Sequence, residues 1–142
     1  CDIRIVSRDA RLGLRQVENG LIPWDGGTQR LSRLVGLGRA LELVLTGRLA
    51  SAEEAFLMGL VNNVVEPGHA IDRAKELALT IAGHGPIAAR YVKEAVLQGL
   101  DLILDQGLRM EADLSILLHS SADRSEGIRS FIEGRAPKYR GE

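Results

Sequence analysis

Leu12-Gly13-Leu14-Arg15-Gln16-Val17-Glu18-Asn19-Gly20-Leu21-Ile22-Pro23-Trp24-Asp25-Gly26-Gly27-Thr28-Gln29-Arg30-Leu31-Ser32-Arg33-Leu34-Val35-Gly36 is the stretch whose reading decides the fold. It reads as an extended segment, a tight loop broken by Gly and Pro, and a helix. Gly13 inside the extended segment points to close approach of another backbone. Pro23 bars an earlier helix. Asp25 or Thr28 is placed to cap the helix that follows, whose free amides favour partial negative charge nearby. Leu31, Leu34 and Val35 form its apolar stripe, and Gly36 and Gly38 end it. Loops of this kind carry sites more often than helix faces do.

Upstream, Ile3, Ile5 and Val6 alternate with polar residues as in a half-buried strand, and Ser7-Arg8-Asp9 turns. The first residues, Cys1-Asp2-Ile3, enter this strand with no Met and with neither the basic nor the apolar region of a signal peptide. The expectation is a chain cut in its interior. Downstream, Arg39 to Leu45 reads as a helix with Ala40, Leu41, Val44 and Leu45 inward. Ser51-Ala52-Glu53-Glu54 has capping-box spacing and opens a helix that stops at Gly59. Leu60 to Val65 reads as a short strand, broken by Pro67-Gly68.

From about Ala70 the pattern is helical. Ile71, Ala74, Leu77, Ala78 and Ile81 recur at helical spacing. Pro86 takes the favoured first position of the next helix, with Ile87, Tyr91, Val92, Ala95 and Val96 inward. A long helix runs from Leu102 to Leu118 and a short one from Asp123 to Phe131, where Asp123 and Glu126 repeat the capping-box spacing. The tail from Gly134 to Arg140 is basic and irregular. Residues 1–66 therefore mix strands and helices, and residues 67–142 are all helix. The first part has too few strands to close a sheet by itself.

Composition excludes several classes. The 142 residues carry a net charge of −1, with no dense basic patch, which argues against nucleic acid. No apolar run nears the ~20 residues a membrane span needs. One cysteine, Cys1, allows no internal disulfide and fits a reducing, cytoplasmic setting. His69, His84 and His119 lie far apart and none has metal-ligand spacing, so no metal site is expected. Gly36-Leu37-Gly38 lacks the rest of a phosphate-loop pattern and reads as a helix end. Glu18 and Asp25 flank the central loop. Either can act as a general acid or base if desolvated. The ordinary alternatives are a solvated or ion-paired Glu18 and a helix-capping Asp25.

Read together, these segments resemble the crotonase superfamily of enoyl-CoA hydratases, isomerases and relatives. The residues that carry the resemblance are Cys1-Asp2-Ile3, Gly13, Gly20-Leu21-Ile22-Pro23 and Gly26-Gly27-Thr28-Gln29-Arg30-Leu31. Further on come Leu45-Thr46-Gly47, Ser51-Ala52-Glu53-Glu54-Ala55, Gly59-Leu60-Val61-Asn62, Glu126-Gly127, Phe131, Glu133 and Arg135. The resemblance implies an α/β fold. This chain would be the C-terminal half of a crotonase-like (ββα)n spiral core (1–66), followed by a helical oligomerisation region (67–142). It implies an acyl-CoA thioester as substrate, an oxyanion-stabilised enolate, no cofactor beyond the CoA of the substrate, and a homotrimer or hexamer. The oxyanion-hole amides and one glutamate would lie upstream, so the fragment alone is expected to lack acyl-CoA chemistry.

Two departures fall in the implied site. Gln16 stands where hydratases carry a second glutamate, and an amide cannot take a proton at neutral pH. Trp24 stands where a glycine N–H helps to hold the reacting water, which suggests a pocket reshaped for a flat or cyclic acyl group, or simple packing of the loop. Three readings stay open. Gln16 orients water or substrate while the upstream glutamate does the proton work. Alternatively, Glu18 or Asp25 substitutes as base, Glu18 sharing a face with Gln16 if the backbone is extended there. In the third reading the protein binds acyl-CoA without turning it over. Hydration of an enoyl-CoA is the leading expectation, with isomerisation or another crotonase-type reaction as the alternative. Asn19 matches a pocket position and Phe131 one that packs near CoA. Gly134 replaces a lysine found in some hydratases, for which Arg135 or Lys138 could supply phosphate charge.

Overall fold

The structure is a computed structural model that describes all 142 residues. They form two compact units, Cys1–Glu76 and Leu77–Glu142.

In the first unit, β1 (Ile5–Ser7) pairs in parallel with β4 (Asn63–Val65), Val6 opposite Val64. The short β2 (Arg11–Leu12) pairs antiparallel with β3 (Ala50–Ser51), Leu12 opposite Ala50. Ladders this short need other support. Arg4 and Asn62 supply some: the Arg4 amide donates to Asn62 Oδ1 and the Asn62 amide to the Arg4 carbonyl, both at 2.8 Å. Arg8 reaches from the end of β1 to Glu53 at 2.7 Å and Glu66 at 2.8 Å. These pairs are exposed and each adds little.

Three helices complete the unit: α1 (Gly27–Val35), α2 (Leu37–Thr46) and α3 (Ala52–Leu57). Leu31 and Val35 of α1 and Ala40 and Leu43 of α2 meet Ala50 of β3 and Met58, just past α3, in one core. Several expectations need correction here. The second helix begins at Leu37, so Gly38 lies inside it. Gly36 alone ends α1 and caps α2, in the left-handed range at φ 84°. Leu34, Leu41 and Leu45 are exposed, whereas Leu43 is almost fully buried. In α3, half of the capping box forms: Ser51 Oγ accepts from the Glu54 amide at 3.1 Å. The Glu54 carboxylate goes to Arg48 instead, at 2.6 and 3.0 Å.

The helix α4 (Ala70–Ala82) begins in the first unit and ends in the second. The second unit continues with α5 (Pro86–Gly99), α6 (Leu104–His119) and α7 (Ala122–Glu133). Pro86 sits at the start of α5 as expected, but Val92 and Val96 are exposed. The buried residues of this unit are polar: Ser121, Asp123 and Ser130. Asp123 is tied to the tail. The Asp123 carboxylate accepts from the Arg140 and Gly141 amides, each at 2.7 Å. Glu126 holds Arg135 with both oxygens, at 2.6 and 3.0 Å, and the Lys138 amide at 2.9 Å. The Asp123–Glu126 capping box therefore does not form. Ser121 caps α7 by accepting from the Arg124 amide, which leaves both carboxylates to the tail. The tail has no regular structure yet is tied down along its length.

Candidate active site

The central stretch is built around glycines that let chain segments touch. A Cβ on Gly13 would lie 2.6 Å from the Arg48 carbonyl oxygen. Only a hydrogen fits there, which confirms the close approach read from the sequence. After Leu14 and Arg15 the backbone tightens into a 3-10 turn, Gln16–Asn19, closed by Gly20 at φ 69°. Pro23 is buried. Asp25 follows at φ 55° and Gly26 at φ 78°, so the chain reverses before α1. The Gly27 amide closes the turn on the Trp24 carbonyl at 3.0 Å. A Cβ on Gly27 would sit 3.1 Å from Pro23 and 3.2 Å from Leu14, so the start of α1 rests on both. The cap of α1 is Gly26 with no side-chain hydrogen bond, so neither Asp25 nor Thr28 caps it as expected.

The 3-10 turn separates Gln16 from Glu18. Residues two apart share a face on extended backbone, but not at three residues per turn. What the turn brings together is Arg15 and Glu18, three apart. Arg15 Nε and Nη2 donate to the two Glu18 oxygens at 3.0 and 2.7 Å. That pair raises the Arg15 pKa, the hydrogen bond to Glu18 being the main cause. The Glu18 carboxylate also lies over Gly47, where a Cβ would be 2.9 Å from its Oε1. Gln16 Oε1 is buried with no hydrogen-bond partner. A buried acceptor left unmatched costs about 1–3 kcal/mol, so this oxygen is primed for a donor.

An apolar pocket of about 270 Å³ opens beside this stretch. Leu12, Leu14, Leu31, Leu34, Leu43 and Leu60 form its walls, and Asp25 and Arg30 are its charged groups. Arg30 was not singled out from the sequence as a site residue. Its signal was its position four residues after Gly26, one helical turn on, where its guanidinium folds 3.1 Å from the place a Gly26 Cβ would take. Asn19 and Trp24 are exposed, Trp24 at 59%. Neither lines this pocket.

A larger cavity, about 430 Å³, lies in the second unit among Arg129, Arg135, Lys138 and Arg140 with Asp123, Glu126 and Glu142. Its mixed charges are those of the tail clamp, and Glu126 and Glu133 already engage Arg135. Ligand sites of drug-like size are mostly apolar with a few placed polar groups, which favours the smaller pocket as the site. Phe131 projects from α7 and is 87% exposed.

Comparison with known proteins agrees with this architecture. The chain matches the family model for enoyl-CoA hydratase/isomerase over residues 1–142, and it belongs to that family, within the crotonase superfamily. Among curated relatives, a short-chain-enoyl-CoA hydratase of Clostridioides difficile is 46% identical over 131 residues, covering 92% of this chain and 84% of that protein. One of the same description from Clostridium acetobutylicum is 42% identical, covering 95% of this chain and 52% of its own length. The solved structure of an enoyl-CoA hydratase from Bacillus anthracis superposes with a TM-score of 0.97 at 46% identity, covering 100% of this chain and 55% of that one. Thus the chain spans about half the length of most of these relatives. No helix is long and apolar enough to cross a membrane.

Proposed function

We propose that the full-length protein adds water across the α,β double bond of an enoyl-CoA thioester, with this chain supplying one half of the acyl-CoA site. The reaction runs through a thioester enolate, and CoA enters only as part of the substrate. The observation that carries the reading is the leucine-walled pocket beneath the Asp25–Gly26 turn, in a chain of the hydratase/isomerase family. Relatives named as hydratases support hydration over isomerisation. The exposed apolar residues of α5 and α6, among them Val92, Val96, Leu104 and Leu108, support a homotrimer or hexamer. The single exposed cysteine supports a cytoplasmic setting.

The test is loss of enoyl-thioester absorbance with crotonyl-CoA and with branched and cyclic enoyl-CoA substrates. Turnover by the full-length protein and none by this chain alone is the expected result. A second reading, acyl-CoA binding without turnover, is favoured by Gln16, which offers no base. Tight acyl-CoA binding with no turnover of any of these substrates would replace hydration by that reading.

A further inference from the structure

We propose that Asp25 is the acid–base group that this half of the fold brings to the acyl-CoA site; the inference rests on the hydration reading above. Three side chains compete for the role, and the structure separates them. Gln16 is an amide and takes no proton near neutral pH. Glu18 is engaged through both oxygens by Arg15, on a turn that takes it off the face of Gln16. Asp25 forms no ion pair of that kind and lines the apolar pocket directly.

The backbone at Asp25 adds a second, independent observation. It is the one non-glycine residue with positive φ, at 55°. Asp and Asn enter this region more readily than other side chains, and such outliers gather at functional sites. Capping does not explain it, because α1 has no side-chain cap. Asp25 itself is exposed at the edge of the pocket. The other walls come from several elements: Leu12 and Leu14 from β2 and the segment after it, Leu31 and Leu34 from α1, Leu43 from α2, and Leu60 from the segment after α3. The other charged group on the pocket is Arg30 of α1, one turn further on.

The chemistry balances with one carboxylate and one water. Asp25 removes a proton from water as the water oxygen bonds to Cβ. The π pair of the Cα–Cβ double bond shifts, and the thioester becomes an enolate. The Asp25 carboxylic acid then returns the same proton to Cα, and the enolate pair forms that C–H bond. The carboxylate is regenerated and one water has been added.

The test compares the full-length protein with its Asp25→Asn and Asp25→Gly variants, using crotonyl-CoA or whichever enoyl-CoA the protein hydrates. Both replacements suit positive φ, so the loop keeps its course; circular dichroism and gel filtration check the fold. Positioned proton transfer contributes about 10²–10⁴-fold, so kcat should fall by about 100-fold or more in both variants with KM little changed. If the unmodified protein turns over and Asp25→Asn, or the strain-free Asp25→Gly, stays within about threefold of it, the assignment to Asp25 is overturned and the hydration reading stands. If the unmodified protein hydrates no enoyl-CoA, both are overturned.

Discussion

Gly13 and Arg48 approach so closely that a Cβ on Gly13 would stand 2.6 Å from the Arg48 carbonyl oxygen and 2.9 Å from Leu49 Cδ2. The nearer of these atoms is backbone and cannot swing aside. Gly13→Ala must therefore push apart the segment that leads into the Gln16 turn and the one that leads into β3. Overpacking of this kind costs about 1–3 kcal/mol. A lowered urea midpoint with unchanged slope is the expected outcome. An alanine variant as stable as the parent would mean that the two segments do not touch.

Asp123 ties the tail to α7. Its buried carboxylate accepts two backbone amides at 2.7 Å, and its own amide donates to the Glu142 carbonyl at 3.1 Å. Asp123→Ala leaves the Arg140 and Gly141 amides without partners, at about 1–3 kcal/mol if they stay buried. The chain's easier course is to release the tail into water. Limited proteolysis after Lys138 and Arg140 should then run much faster than in the parent, while β1, β4 and the first core keep their hydrogen-exchange protection.

Glu126 makes the second tie sensitive to acid. Hydrogen bonds from Arg135, then from the Lys138 amide, hold its pKa at about 2, below the ordinary 4.5. A carboxylate depressed in the folded state contributes stability that is fully present above its unfolded pKa. That contribution is lost as pH falls from about 4.5 towards about 2. Glu54, lowered chiefly by its hydrogen bond to Arg48, acts in the same direction. Glu126→Gln should thus be less stable than the parent at neutral pH, with the gap closing on acidification. Melting temperatures measured from pH 7 to pH 2 give the comparison, and a constant gap would show that Glu126 does not titrate with unfolding.

Legibility in the sequence followed the physics of each residue. Gly13 and Pro86 were readable because one atom or one ring decides their role. The long amphipathic helix from Ala70 to Ala82 was readable because its period repeats. The face of α2 was not, since Leu37, Leu41, Leu43, Val44 and Leu45 surround most of the helix and no stripe stands out. Leu43 is buried while Leu37, Leu41 and Leu45 are exposed. The capping boxes misled because a box is a competition. Arg48 outbid the Ser51 amide for Glu54, and the tail took Asp123 and Glu126. The Arg15–Glu18 pair was hidden for a different reason. Three-apart side chains meet only if the backbone is helical, and nothing in the pattern from Gln16 to Asn19 marks a helical turn. The extended reading is what sets Glu18 on one face with Gln16.

Gly47 and Glu18 allow the geometry of the turn to be tested without any substrate. Gly47 has φ 66°, and a Cβ there would lie 2.9 Å from Glu18 Oε1. Gly47→Ala thus carries two costs. The left-handed backbone costs about 1–2 kcal/mol for a residue with a Cβ. The contact adds more, because Glu18 can withdraw only by breaking its paired hydrogen bonds to Arg15. Glu18→Ala removes the contact and the pair together. The double variant should therefore be less destabilised than the sum of the two single variants, by about 0.5 kcal/mol or more. Strict additivity within error in urea unfolding would place the Glu18 carboxylate away from Gly47 in solution, and would return it to the candidates for the base.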